Sequence, residues 1–276
     1  MYDIAIVGGG IIGLSAAYEL VNKYPEKKIV VIEKENLVGM HQTGHNSGVI
    51  HSGIYYKPKS SKALNCRLGI ELLKKFCSEY DVDYEICGKI IIASHEKDID
   101  SLNILYDRGL KNGIKGLRKI VKEEICNYEP YAVGKAALYC PDTGIIDYSV
   151  VCNRLSNIIS QKGEIINGFE VGNIIHRHNQ IVIISDKNEI NAKFLINCAG
   201  LFSDKISSLA GLDPKCQIIP FRGEYFMIKK QFRYLVNNLI YPVPDPRYPF
   251  LGVHFTRTIN GEIEAGPNAV LAFSRE

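Results

Sequence analysis

The 276-residue sequence has no apolar run long enough to cross a bilayer. A spanning helix needs about 20 such residues, and the most apolar stretch, Ile4 to Leu20, is shorter and is interrupted by four glycines and Ser15. Paired cysteines are also lacking. The eight cysteines are scattered singly, with no C-x-x-C pair and no histidine at zinc-ligand spacing beside them, which argues against a disulfide framework and a structural zinc site. The opening Met-Tyr-Asp offers no basic leader, so reduced thiols in a cytoplasmic protein are expected. Nor is there an excess of charge of one sign. Thirty-three basic and 30 acidic residues leave a net charge of +3, with no basic stripe interleaved with aromatics, so nucleic acid is not an expected partner. No internal repeat is visible.

What is present begins at the first residues. Ile4 to Val7 is a short apolar run that ends in Gly8-Gly9-Gly10, and Ile11, Ile12, Leu14, Ala16, Ala17 and Leu20 continue it with helix-forming residues until Pro25. A second buried strand, Ile29 to Ile32, closes with Glu33. Strand, Gly8-x-Gly10-x-x-Gly13, helix, strand and acid form the βαβ unit of dinucleotide binding. The first glycine permits the turn, and the second lets a pyrophosphate approach the helix N-terminus. The third, Gly13, lets helix and strand pack closely. Glu33 is expected to accept hydrogen bonds from the adenosine ribose, which favours a free 2′-hydroxyl over a 2′-phosphate.

The Gly39 to Gly53 segment separates FAD from NAD as the ligand. An NAD-type unit passes promptly from its second strand into a helix, whereas here fifteen residues of small, polar character intervene. Thr43, Asn46 and Ser47 offer hydroxyl and amide partners, and Gly44, Gly48 and Gly53 allow backbone to approach an extended ligand. A flavin with its ribityl chain fits such a loop. No metal is expected: His41 and His45 lie in a glycine-bearing loop, where a spacing of four does not put side chains on one face, and His176 and His178 flank a hairpin with no third ligand nearby.

Beyond the loop, Ser60 or Ser61 is expected to cap a helix reaching Tyr80, with Ala63, Leu64, Leu68, Leu72, Leu73 and Phe76 facing the core. Strands at Lys89 to Ala93 and Ala136 to Tyr139 alternate with charged helical stretches. A helix spans Ser149 to Gln161, and a hairpin turns at His178-Asn179. Phe194 to Asn197 reads as a buried strand leading to a helix capped by Ser203. Strand-like runs follow at Glu224 to Ile228, Leu239 to Val243 and Phe250 to Phe255. The expected fold class is α/β, a Rossmann-like FAD-binding domain (residues 1–83 and 147–215) with an inserted mixed-sheet substrate domain (84–146 and 216–276).

Residues 41 to 56, His-Gln-Thr-Gly-His-Asn-Ser-Gly-Val-Ile-His-Ser-Gly-Ile-Tyr-Tyr, resemble the signature of the L-2-hydroxyglutarate oxidases and dehydrogenases, members of the D-amino-acid-oxidase-like FAD superfamily. The likeness continues through Asn197 to Asp204, Pro220 to Tyr225, and from Leu239 to Asn268. The resemblance implies FAD-dependent oxidation of L-2-hydroxyglutarate to 2-oxoglutarate, with electrons passed to a quinone or other acceptor. It also implies Thr43 and the Ser47-Gly48-Val49 backbone on the flavin side, Val171 at the adenine, and Ala199-Gly200 approaching the cofactor from the second sheet. Members of that family extend past the position of Glu276, so the chain is expected to be truncated, and its own activity is expected to be impaired. Attachment to the inner face of a membrane is compatible with a quinone acceptor.

Such an oxidation needs a base for the hydroxyl proton and cations for the carboxylates. His51, within the flavin loop, is the first choice for the base, and His254 the second. Arg222 is the first choice for a carboxylate clamp, because guanidinium binds carboxylate bidentately; Arg257 and Lys57 follow. An amine or amino acid oxidase of the same superfamily, an NAD-linked dehydrogenase and a non-catalytic fragment are the competing readings.

Overall fold

The structure is a computed structural model that describes residues 1–245, 247 and 252–275. The chain forms two compact units, each assembled from separate stretches: residues 1–46, 148–220 and 272–276 in the first, and 47–147 and 221–271 in the second. These bounds differ from the expected ones. Residues 47–83 belong to the second unit, because the Val49–Ile50 strand pairs with Gly144–Ile146. Residues 272–276 return to the first, where the Ala272 N–H donates to the Pro220 carbonyl.

The first unit is built on a six-stranded sheet. Its central strand, Tyr2–Val7, lies parallel to Ile29–Ile32 on one side and Glu189–Asn197 on the other. All four residues of Ile29–Ile32 are buried, as expected of a parallel strand covered on both faces. The hairpin Asn173–Arg177 and Gln180–Ile184 completes one edge, turning where the sequence placed it. The helix Ile11–Lys23 starts at Gly10 and ends just before Pro25, which has no N–H to continue it. The other helix expected here is found at Tyr148–Ile159. Two readings are corrected in this unit. Phe194 is 66% exposed, so its strand is not buried throughout. Ser203 is already helical and its side chain caps nothing.

The second unit contains a seven-stranded mixed sheet and a small three-stranded one. Lys89–Ala93 is parallel to Leu239–Pro242 and antiparallel to Ala136–Cys140, and it is buried along its whole length. Ser60 caps the helix Ser61–Glu79, its hydroxyl accepting from the Ala63 N–H at 3.2 Å. The expected apolar face of this helix is a further correction. Ala63 is buried as expected, but Leu64, Leu68 and Leu72 are exposed, and Ile70 and Cys77 are buried in their place. The sequence carries two apolar stripes on one helix, and the stripe with the smaller residues allows the closer approach. The run expected over Phe250 to Phe255 is a strand at His254–Arg257; Phe250 and Leu251 lie outside the described residues. The sequence reading missed the strand Ile263–Leu271, which contains Gly266-Pro267 and so lacks the usual strand signal.

Candidate functional site

In the first unit the glycine turn opens on a cavity of about 660 Å³, within the range of small-molecule sites. Seven of the residues singled out from the sequence line it: Gly8, Gly10, Glu33, Thr43, Val171, Ala199 and Gly200. Gly8 has φ +112°, and a Cβ there would sit 2.3 Å from the Cys198 carbonyl oxygen. At Gly13 a Cβ would stand 1.9 Å from the Gly8 carbonyl oxygen, so its role is to let the helix close on the turn. The helix that starts here has no acidic residue in its first turn and no side-chain cap from Gly10. Its Ile11 N–H donates to Thr43 Oγ1 at 3.1 Å, which ties the following loop to the helix end. A turn without side-chain bulk, a helix N-terminus without a competing anion and a cavity of this size fit the pyrophosphate and adenosine parts of a dinucleotide.

Glu33 is buried and fully engaged by backbone. One oxygen accepts from the Gly9 N–H at 2.6 Å and the other from the Glu35 N–H at 2.9 Å. Each oxygen keeps a further lone pair, so the carboxylate can hold the turn and still receive a ribose hydroxyl. At the cavity rim His41 and Lys34 both pair with Glu35, whose carboxyl they hold below the usual range, the His41 hydrogen bond contributing most. Two groups at this site escaped the sequence reading. Asp204 receives a bidentate pair from Arg275 at 2.5 and 2.6 Å, and Arg275 also donates to the Ile218 carbonyl. That contact holds the Asp204 carboxyl well below its ordinary range. Arg275 lines the cavity together with Phe273 and Ser274.

The remaining predicted residues lie in the second unit. The Gly48 carbonyl accepts from the Ile146 N–H at 2.8 Å, and Val49 is registered with Ile145, so the Ser47-Gly48-Val49 segment is held by backbone pairing. The buried His254 acts on the half-buried His51, and the two share the buried Lys89 as a neighbour. Burial, the Lys89 ammonium and His254 together press the His51 imidazole down to about 3. His254 is lowered chiefly by burial as well, opposed by the Gly252 carbonyl. That carbonyl accepts from Nδ1 at 3.0 Å, leaving Nε2 as the ring's acceptor. The His254 ring stacks on Tyr241, with centroids 4.0 Å apart.

Arg222 is not in this cluster's hydrogen-bond network: it stands on the exposed strand Phe221–Met227 and pairs with Glu224 at 2.6 Å. Arg257 pairs with Glu85, and Lys57 is exposed. Among the described residues no three His, Cys, Asp or Glu side chains converge on a metal-binding point. The sequence reading overlooked Lys89, although its strand was recognised. A lysine inside an otherwise buried Ile-rich strand was the signal.

The family described as FAD dependent oxidoreductase (DAO) matches residues 3–275. An L-2-hydroxyglutarate dehydrogenase from Indibacter alkaliphilus is 47% identical over all of this chain and 69% of its own length. The mitochondrial L-2-hydroxyglutarate dehydrogenase of Homo sapiens is 47% identical, again over the whole chain, which spans 62% of that relative. Among solved structures, L-alpha-glycerophosphate oxidase from Mycoplasma pneumoniae with FAD bound superposes with a TM-score of 0.87 at 26% identity, over 99% of this chain and 72% of its own. Glycine oxidase from Geobacillus kaustophilus, at 19% identity and a TM-score of 0.84 over 100% of this chain and 73% of its own, shows the same fold. The glycine turn, its cavity and these likenesses agree, and the chain belongs to the FAD-dependent oxidoreductases of the DAO family, in the branch of the L-2-hydroxyglutarate dehydrogenases.

Proposed function

We propose that the protein oxidises L-2-hydroxyglutarate, or a closely similar 2-hydroxy acid, to 2-oxoglutarate with FAD, the electrons leaving to a quinone or another acceptor. The observation that carries this reading is the 47% identity to an L-2-hydroxyglutarate dehydrogenase along the entire chain. In the oxidation the hydroxyl gives up its proton and the Cα–H bond its electron pair. Bound FAD supplies the acceptor for that pair. His51, uncharged at neutral pH, takes the hydroxyl proton, and His254 offers Nε2 as a second acceptor. Arg222 grips one carboxylate, giving up Glu224 for it.

On the cofactor side, Gly8, Gly10 and Gly13 admit the pyrophosphate, Glu33 receives the ribose and Val171 adjoins the adenine. Thr43, the Ser47-Gly48-Val49 backbone and Ala199-Gly200 complete the contacts. The first unit then carries most of the cofactor residues, and the second carries Ser47-Gly48-Val49 and the substrate residues. We assign the protein to the cytoplasm, with a quinone acceptor favouring attachment to the inner membrane face; no helix among the described residues is long and apolar enough to cross a membrane.

The test is anaerobic. FAD-loaded protein is mixed with L-2-hydroxyglutarate, its D enantiomer, glycine or glycerol 3-phosphate, and flavin absorbance is followed. Bleaching by the L-hydroxy acid alone is expected. Bleaching by the amine alone would replace this reading with an amine oxidase.

A further inference from the structure

Lys89 is 1% exposed, and its Nζ has no hydrogen-bond partner. The ammonium lies over two rings, 4.5 Å from the Tyr55 centroid and 4.6 Å from that of Tyr241. The rings fix its position and soften its desolvation, but they offer their faces and not an acceptor. The Tyr55 hydroxyl is buried without a partner as well. The ionisable groups acting on this lysine are Cys140 and Cys66, it acts in turn on His51 and His254, and none of the four is a carboxylate. A buried cation with no counter-charge is among the costliest arrangements a fold can hold, and an apolar side chain would serve a strand interior better. Three ammonium donors, an unpaired phenol hydroxyl and two imidazoles kept neutral make a cluster that lacks one thing, an anion with several acceptor atoms.

We propose that Lys89 is a carboxylate-binding residue of the substrate site, its ammonium taking one carboxylate of the dicarboxylate while the adjoining imidazoles address the hydroxyl. This rests on the reading above and deepens it: a dicarboxylate needs two cationic anchors, and Arg222 is the other. Nζ is closed off from solvent, so a carboxylate reaches it only when the side chains packed around it give way. Burial depresses Lys89 to about 8, so the anchor loses its charge as the pH rises through that value.

The experiment is calorimetric titration of the FAD-loaded chain with glutarate, which has both carboxylates but no hydroxyl to oxidise, at several pH values, alongside thermal melting. Wild type should bind glutarate with an affinity that falls above pH 8. Lys89→Met should bind about tenfold or more weakly at pH 7, with the limb near pH 8 gone, and should melt no lower than wild type. Lys89→Arg keeps a charge at every accessible pH, so its binding should persist above pH 9 even if the methionine variant fails to fold. Wild-type-like glutarate binding by Lys89→Met, or an Arg variant with an unmoved pH limb, overturns the proposal. If wild type is bleached by L-2-hydroxyglutarate while these variants behave as wild type, only the role of Lys89 falls. If wild type binds neither compound, the functional reading falls with it.

Discussion

The glycine-turn cavity and the Lys89 cluster treat polarity in opposite ways. Around the cavity the polar groups are answered from within the chain: Glu33 by two backbone N–H groups, Asp204 by Arg275, and Glu35 by His41 and Lys34. Around Lys89 the ammonium and the Tyr55 hydroxyl are answered by nothing. The first arrangement is a finished scaffold that a ligand joins through spare lone pairs. The second keeps polar groups unsatisfied until something binds, at a cost to stability. Substitutions in the cavity should therefore disturb folding and cofactor retention together, whereas substitutions in the cluster should disturb chemistry while sparing the fold.

His51→Asn offers the sharpest break. It removes the proton acceptor and should lower turnover of L-2-hydroxyglutarate about 10²- to 10⁴-fold with FAD content unchanged; loss of flavin in this variant would blur the contrast between the regions. Gly13→Ala comes next. Its methyl group would lie 1.9 Å from the Gly8 carbonyl oxygen, so the turn must move, at a cost of about 3 kcal/mol, read as a lower melting temperature and lost flavin. Glu33→Gln places an amide NH₂ against a backbone N–H donor and should cost about 1–3 kcal/mol, with flavin released on gel filtration. A variant that keeps its flavin and its stability would show that the carboxylate is dispensable to the scaffold.

Arg222→Lys should raise KM about tenfold and leave FAD bound, because the planar fork is lost while the charge stays. The smallest effect concerns pH. His51 is depressed to about 3, against 6.5 unfolded, so between those values the unfolded chain binds the extra proton and stability falls as pH falls. Acidifying from pH 6.5 to 5.5 should cost wild type about 1 kcal/mol from this group, and His51→Asn should be spared that share. Denaturant melts at the two pH values measure it.

The legibility of the sequence follows the same divide. The strand, glycine turn and helix over Tyr2 to Lys23, and the places of Glu33 and Thr43 beside that turn, were readable because each depends on residues close in sequence or on a fixed spacing. Ser60 as a cap and His178-Asn179 as a hairpin turn were readable for the same reason. Lys89 was not, because its meaning depends on Tyr55 and Tyr241, which lie far from it along the chain. The burial of Ile70 in preference to Leu68 escaped notice because two apolar stripes compete on that helix and packing alone selects between them. Arg222 was legible as a cation of suitable type, but its partner Glu224 was not anticipated.

The interleaving of the two units sets a schedule for synthesis. The first strand, Tyr2–Val7, waits for Glu189–Asn197 to complete its neighbours, and the cavity wall waits for Arg275 to reach Asp204. At a ribosomal rate of about 5–20 residues per second, the N-terminal strand spends on the order of ten seconds or more without one of its partners. Through that interval an apolar strand edge stands open. The protein should therefore lean on chaperones during translation, and a slowed ribosome should lower its soluble yield more than that of a chain whose units follow one another in sequence.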